Sequence, residues 1–411
     1  MENEIAIVGS GISGLSCAHR LSRNGFKVRV FEKDAIAGGR APKAIRIISK
    51  EDTSILTLLN ELDYTNIENA TLDKFASYVS GKATTFTKFK PLFFRETDLS
   101  FSEKIMRRMA SIFTHTDLRE LRELQKYIDS LEFSFENNNA EVEKLHNIST
   151  EEWLNNYSEN LRNLMLIPML QITFEPNLSK QTAKYGVRQI REFFRIGWNG
   201  GYIIKGGPYA ITKEIIKSIR NKGNDIEFLS EVKKVEETSN GFEVIYEKYE
   251  IPDEDKTEEI EKFKYVVLST PLTSTSKILG EDFKIPYIST RSIYLRGDLK
   301  EKWEVVIGPD HESNFRSLYT VVQGEYYVHP VKPERDVTNL NGLFKKGELK
   351  TIDIEEVPIA LPRILPCSRI PSLEYNPDGI YICGDFYHYP SVDTSAATGF
   401  MVANEIMAKK G

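Results

Sequence analysis

The sequence predicts an α/β fold, on three adjoining observations. A short aliphatic run, residues 4–8, leads directly into Gly9-Ser-Gly11-Ile-Ser-Gly14. Residues 15–24 follow with helical apolar spacing through Leu15, Ala18 and Leu21, and stop at Gly25. Residues 27–31 then read as a second buried strand ending at Glu32. Strand, glycine turn, helix and strand make one β-α-β unit, the opening of a Rossmann-like domain.

From about residue 50 to 195 the character changes to long charged and apolar stretches of helical period, such as 118–131, which predicts a helical insertion. Strand signals return at 225–235, 241–249 and 263–269, and the acidic segment 250–262 reads as a solvated hairpin loop. Residues 276–370 mix strand-like pieces with prolines and carry no nameable motif. Residues 379–383 form one more short strand entering Gly384-Asp385, and 394–408 reads as a terminal helix. The expected architecture is a Rossmann-like domain built from residues 1–50, 198–275 and 375–411. A mixed α+β substrate domain, 51–197 and 276–374, is inserted in it, an ordinary division for 411 residues.

Composition narrows the function classes. Apolar residues make up 40% and charged residues 28%, the balance of a globular protein and not of a disordered one. A net charge of −6 argues against nucleic-acid binding, which takes a basic face. Three distant cysteines, Cys17, Cys367 and Cys383, make neither a disulfide framework nor a zinc site, so no metal is expected and a reducing, cytoplasmic setting is favoured. The start Met1-Glu2-Asn3-Glu4 is acidic where a signal peptide is basic. The longest nearly uncharged run, 164–174, contains Pro168, Gln171 and Thr173 and is about half the ~20 residues of a spanning helix.

The glycine motif carries chemistry because of its context. Gly9 permits the tight turn, Gly11 lets a pyrophosphate approach the backbone, and Gly14 lets helix and strand pack closely. The phosphates meet the free N–H groups and positive dipole end of the helix. Glu32, 23 positions after Gly9, is placed to accept hydrogen bonds from adenosine ribose hydroxyls. A glycine turn without a ligand is the plain alternative.

Six residues beyond Glu32 comes Gly38-Gly39-Arg40, and acid followed by GGR resembles the FAD-binding flavoproteins of the amine oxidase and phytoene desaturase superfamily. The resemblance implies FAD as cofactor and gives Arg40 a hold on its pyrophosphate. It continues through Ser149-Thr-Glu-Glu-Trp153-Leu154, the return segment 200–207, the strand near Val232 whose family counterpart holds adenine, and Val266-Val-Leu-Ser-Thr-Pro271. It ends with Gly384-Asp385 and with Asp393 and Thr394 before Gly399. Asp385 would accept from a ribityl hydroxyl, and the helix starting near Thr394 would point its dipole at the flavin's pyrimidine edge, stabilising negative charge there. Asp393 and Thr394 also read as a plain helix N-cap.

Two departures from that family disfavour amine oxidation. Ser391 stands where amine oxidases carry an aromatic, and Ser292 falls about where they carry a lysine near flavin N5. The strand that usually follows GGR is short or missing between Arg40 and Ile55. Tyr387, His388 and Tyr389 would lie near the flavin ring, with His388 a candidate proton acceptor and Tyr389 beside it, against the reading of a loop histidine and packing tyrosines. Cys367 and Cys383 read as buried structural thiols ahead of covalent flavin anchors.

The expected activity is hydride abstraction by FAD from a carbon of a mostly apolar substrate, desaturase-like, with an isoprenoid as one candidate and oxygen, a quinone or another compound as acceptor. A flavin amine oxidase, a redox-neutral flavin-dependent isomerase and a non-catalytic flavin-binding scaffold are the alternatives. Residues 88–113 interleave six basic residues with Phe, Leu, Ile and Met. They read either as a peripheral membrane contact or as a half-buried helix with snorkelling side chains.

Overall fold

In the computed structural model, the structure describes residues 4–41, 47–70, 74–79, 82–87, 114–133, 140–171, 177–249, 256–308, 315–322, 324–330, 337, 340–345 and 349–409. The basic stretch 88–113 lies outside these residues.

The opening β-α-β unit forms as expected. β1 (Glu4–Val8) and β2 (Lys27–Phe31) run parallel, with Ile5 opposite Val28 and Ile7 opposite Val30, and α1 (Ile12–Arg23) joins them. Alternate β1 residues point to opposite faces, yet Ile5, Ala6, Ile7 and Val8 are all buried. Both faces are therefore covered, as a parallel sheet requires. The sheet runs Glu374–Asn376, Ile380–Ile382, Tyr265–Leu268, β1, β2, Asp225–Glu227, parallel except for the Glu374–Asn376 edge. Strand order reverses at β1, and in such sheets ligands bind beyond the carboxyl ends at that point.

One face is packed by α1, α2 (Thr53–Glu61) and, beyond α3 (Ala183–Asn199), by α4 (Pro208–Arg220) and α5 (Val392–Ala408). Leu15, Leu21, Ile55, Leu58, Ile211, Ile215 and Phe400 meet there in one cluster. Thus α2, expected in the substrate domain beyond residue 50, packs on the Rossmann-like core. A Cβ at Gly399 would sit 2.2 Å from the Ser13 carbonyl oxygen, so glycine is what lets α5 lie directly on α1.

The described part of the acidic segment expected as a loop, 256–262, is instead strand. Lys256–Phe263 pairs antiparallel with Gly241–Tyr249, which pairs with Ser230–Thr238. Two of its acids are partnered: Glu259 and Glu261 accept from the Tyr246 hydroxyl, and Glu261 also pairs with Arg29. A charge run read alone hides such cross-strand partners.

The expected helical insertion also contains strands soon after α2. Ile67–Ala70 and Ile47–Ser49 flank Gly201–Ile204. Lys74–Val79 and Lys82–Thr87 form a hairpin at one end of a seven-stranded sheet. From that end the sheet continues through Val305–Ile307, Phe315–Val322, Glu325–Pro330 and Tyr287–Arg296 to Lys350–Pro362. Ala76 and Tyr78 are buried in its core with Ile293, Leu318 and Val328, partners more than 200 residues away that local periodicity cannot reveal.

The helical part proper includes His115–Ser130, as expected, and a cluster of Trp153, Leu154, Met165, Leu166, Met169, Leu170 and Phe194. The described part of the 164–174 run is therefore helix core. Arg162–Leu166 is a π-helical turn just before Pro168, which lacks the N–H an α-helix would donate to residue 164. Among the described residues no helix is long and apolar enough to cross a membrane.

Candidate functional site

The glycine turn closes on itself and leaves one opening. Gly9, at φ +99°, donates its N–H to the Phe31 carbonyl at 2.8 Å. A Cβ at Gly14 would lie 2.2 Å from both the Gly9 carbonyl oxygen and Ser269 Oγ, so this glycine is required by packing. At Gly11 an added Cβ would meet nothing within 4 Å. Gly11 is also the N-cap of α1 and offers no side-chain cap, so the helix's free N–H groups and positive dipole end face that open space. This is the geometry of an anion cradle.

Glu32 stands beside it. Its carboxylate is buried and accepts from the Ser10 N–H at 2.9 Å, from the Ser10 hydroxyl and from the Asp34 N–H at 3.0 Å. Glu32 thus holds the glycine turn, and its remaining acceptor capacity is what a ribose could use. The Glu32 carbonyl accepts from the Ser230 N–H at 2.8 Å, which sets the start of the strand carrying buried Val232 against this corner.

Gly38 and Gly39, at φ +119° and +54°, turn the chain onto the same spot. The Gly38 N–H donates to the Ser10 carbonyl at 3.0 Å, and a Cβ at Gly39 would lie 3.3 Å from Gly11 Cα. The turn delivers Arg40 to Asp385: Nη2 donates to Oδ1 at 2.9 Å and Nη1 to Oδ2 at 3.1 Å. Nη1 also donates to the Ala360 carbonyl at 2.7 Å, and the guanidinium carbon sits 5.4 Å from the Tyr287 ring centre. Burial works against the charge on Arg40, but Asp385 outweighs it and holds the guanidinium pKa above its usual value. Arg40 and Asp385, given separate contacts by the family resemblance, are therefore joined as a forked ion pair.

The N-terminus of α5 departs from the sequence reading. Its N-cap is Ser391, whose Oγ accepts from the Thr394 N–H at 3.0 Å, and not Asp393 or Thr394. Thr394 Oγ1 donates to the Tyr389 carbonyl at 2.8 Å, tying down the preceding loop. Asp393 turns to α2, where Oδ1 accepts from the N–H groups of Ser54 and Ile55 at 2.8 and 2.9 Å. A residue of α5 thus caps the helix that follows GGR, a role sequence spacing could not show. Burial, chiefly, with Glu192 and Asp393 nearby, pushes the pKa of Asp52 up to about 8. Arg188 pairs with Glu192 at 3.0 Å on this side of α3.

His388 is buried in the loop between the short turn Asp385–Tyr387 and α5. The Tyr387 hydroxyl donates back to the Ile382 carbonyl at 3.0 Å, and Phe386 is held by Tyr185, whose hydroxyl donates to its carbonyl at 2.6 Å. Ser292 is buried, with Oγ 3.3 Å from His329 Nδ1. Burial pushes the Cys383 thiol up to about 12, which opposes the thiolate a covalent anchor needs. Cys367, expected buried, is exposed.

Residues 7–52 match the family model of an NAD(P)-binding Rossmann-like domain. The chain is 24% identical over 266 residues to a 1-hydroxycarotenoid 3,4-desaturase of a Flavobacterium species, covering 57% of this chain and 51% of that protein. It is 20% identical over 303 residues to a Staphylococcus aureus 4,4'-diapophytoene desaturase (4,4'-diaponeurosporene-forming), covering 68% of this chain and 57% of that one. The chain thus spans little more than half the length of these curated relatives. Among solved structures, an oxidoreductase from Methanosarcina mazei superposes with a TM-score of 0.69 at 15% identity, covering 98% of this chain and 100% of that one. Putrescine oxidase bound to putrescine gives 0.67 at 17%, covering 99% of each. The solved structures show the fold, and the expected resemblance to desaturases of that superfamily is borne out by the relatives found by sequence.

Proposed function

We propose that this chain is an FAD-dependent oxidoreductase that takes a hydride from a carbon of a mostly apolar small molecule. The observation that carries the reading is the open space in front of Gly11. It faces the bare N-terminus of α1 and is bordered by Glu32 and by the turn that leads to Arg40 and Asp385.

The residues fit the cofactor. The α1 N–H groups suit a pyrophosphate, and Glu32 has an acceptor to spare for ribose hydroxyls. The N-terminus of α5, with Ser391 capping it, provides a positive dipole end to oppose negative charge. FAD, when bound, supplies a two-electron acceptor. Arg40 and Asp385 fix each other and keep an ionised pair at the edge of the cradle, while Asp393 locks α2 against α5. His388 stands as the candidate proton acceptor, with Tyr389 as its neighbour on the loop.

An apolar substrate is supported by the desaturase relatives, whose names describe carotenoid and diapophytoene chemistry. It is also supported by Ser391 and Ser292, which replace the aromatic and the lysine that amine oxidation of this type uses. The test is anaerobic stopped-flow reduction of the holoprotein by small amines, polyamines and polyene hydrocarbons. Bleaching of the flavin by the polyenes, at the roughly 1 to 1000 per second typical of enzymes, supports the reading. Bleaching by amines alone assigns the chain to amine oxidation, and a product of unchanged mass to isomerisation.

A further inference from the structure

Two rows of side chains cross the seven-stranded sheet on the face opposite its apolar core. The first is Ser292, His329 and Ser317 on three neighbouring strands: Ser317 pairs in register with His329, and Ser292 Oγ lies 3.3 Å from His329 Nδ1. The second is Tyr294, Tyr327 and Tyr319, where both outer tyrosines pair with Tyr327. The Tyr319 and Tyr327 rings stack, centroids 4.9 Å apart and planes 15° from parallel. Strand alternation sends the intervening Ile293, Val328 and Leu318 into the core on the other side.

The first row is deeply buried for so polar a set. Ser292 is 8% exposed, His329 3% and Ser317 0%, and Ser317 Oγ has no hydrogen-bond partner among the described residues. An unsatisfied buried hydroxyl is costly, and one that a fold keeps calls for a reason, such as strain, a catalytic role or a water or ion that completes it; a bound ligand's oxygen would complete this one. The sheet also reaches the cofactor cradle, since Tyr287 and Ala360 both contact Arg40. Ser292 lies five residues beyond Tyr287 on the same strand, roughly 16 Å at about 3.3 Å per residue. A long molecule could span that distance.

We propose that the Ser292–His329–Ser317 row binds the oxygen-bearing end, a hydroxyl or carbonyl, of an elongated unsaturated substrate, and that the tyrosine row packs against its adjoining carbons. This rests on the apolar-substrate reading above and narrows it to molecules with one polar terminus. Serine hydroxyls both donate and accept, so they take either group, and flat tyrosine rings suit unsaturated carbon. A buried site built to hydrogen-bond an oxygen rejects the analogue that lacks it, because its own polar groups are then left unpaired.

Equilibrium dialysis of the purified full chain with farnesol and with farnesene tests this. Wild type is expected to bind the alcohol about tenfold or more tightly than the hydrocarbon, a difference of about 1.4 kcal/mol. S317A is expected to bring the two affinities together while leaving farnesene binding and the melting temperature undiminished, and S292A is an independent variant with the same expectation. Y319L should weaken both ligands alike. Equal affinities in wild type, no binding of either probe, or a preference that survives both serine variants overturns the proposal. Flavin content measured on the same samples separates the two readings: flavin-free protein that prefers farnesol keeps this subsite and loses the oxidoreductase, and flavin-replete protein without the preference does the reverse.

Discussion

Arg40 and Asp385, 345 residues apart, meet as a forked ion pair at the edge of the glycine cradle. The fork uses both carboxylate oxygens and two guanidinium nitrogens, a geometry lysine cannot copy. It closes the nucleotide-binding unit by joining the segment after β2 to the segment before α5.

Asparagine at 385 leaves the Arg40 charge partly buried and alone, and lysine at 40 keeps the charge but loses the fork. Arg40→Lys and Asp385→Asn are each expected to cost about 2 kcal/mol, less than a fully buried pair because the Arg40 side chain is 26% exposed. Urea unfolding measures the loss. A lysine variant as stable as wild type would show that the fork is not needed.

Two glycines of the same motif should behave oppositely. Gly14→Ala forces a Cβ to 2.2 Å from the Gly9 carbonyl oxygen and is expected to destabilise by several kcal/mol, on the order of 3. Gly11→Ala meets open space at an ordinary backbone angle, φ −68°, and should melt with wild type while binding FAD at least tenfold more weakly. Paired melting curves and cofactor titrations check both.

Glu32→Ala removes the acceptors proposed for the ribose and also frees the Ser10 N–H. Hydrogen bonds to a charged acceptor are worth about 1.5 to 3 kcal/mol each, so the dissociation constant for FAD should rise about a hundredfold or more. Ser10→Ala, which keeps the carboxylate, should change it far less. An unchanged constant in Glu32→Ala would remove this residue from the site.

Stability should depend on pH through Asp52, whose pKa is raised in the fold to about 8 by burial and by Glu192 and Asp393. Between about pH 4 and 8 the folded chain then holds a proton that the unfolded chain has released. Its contribution therefore declines as pH rises through that window, by at most about 1.4 kcal/mol per unit. Asp52→Asn keeps an acceptor for the Ser49 N–H and should flatten the decline, which denaturation midpoints at several pH values would read out.

What the sequence made legible is what chain neighbours determine. Residues 4–32 announced strand, turn and helix because Gly9, Gly14 and Glu32 act within one unit, and the glycine stop at Gly25 is realised at φ +80°. Contacts made across the fold were hidden. Asp393 reads as a helix N-cap until α2 is seen beside it, and Lys256–Phe263 reads as a solvated loop until Tyr246 and Arg29 are seen opposite its acids. Ser292 looked like an absence, the place of a missing lysine. The fold makes it one end of a buried polar row whose other members lie 25 and 37 residues away.

The central claim, that the cradle at Gly11 holds FAD, is tested most directly by denaturing the purified protein with heat or acid and identifying what it releases. The account predicts a yellow supernatant containing FAD at about one per chain, with no flavin left on the polypeptide. Release of NAD or NADP without flavin, or flavin that stays on the denatured chain, would contradict it.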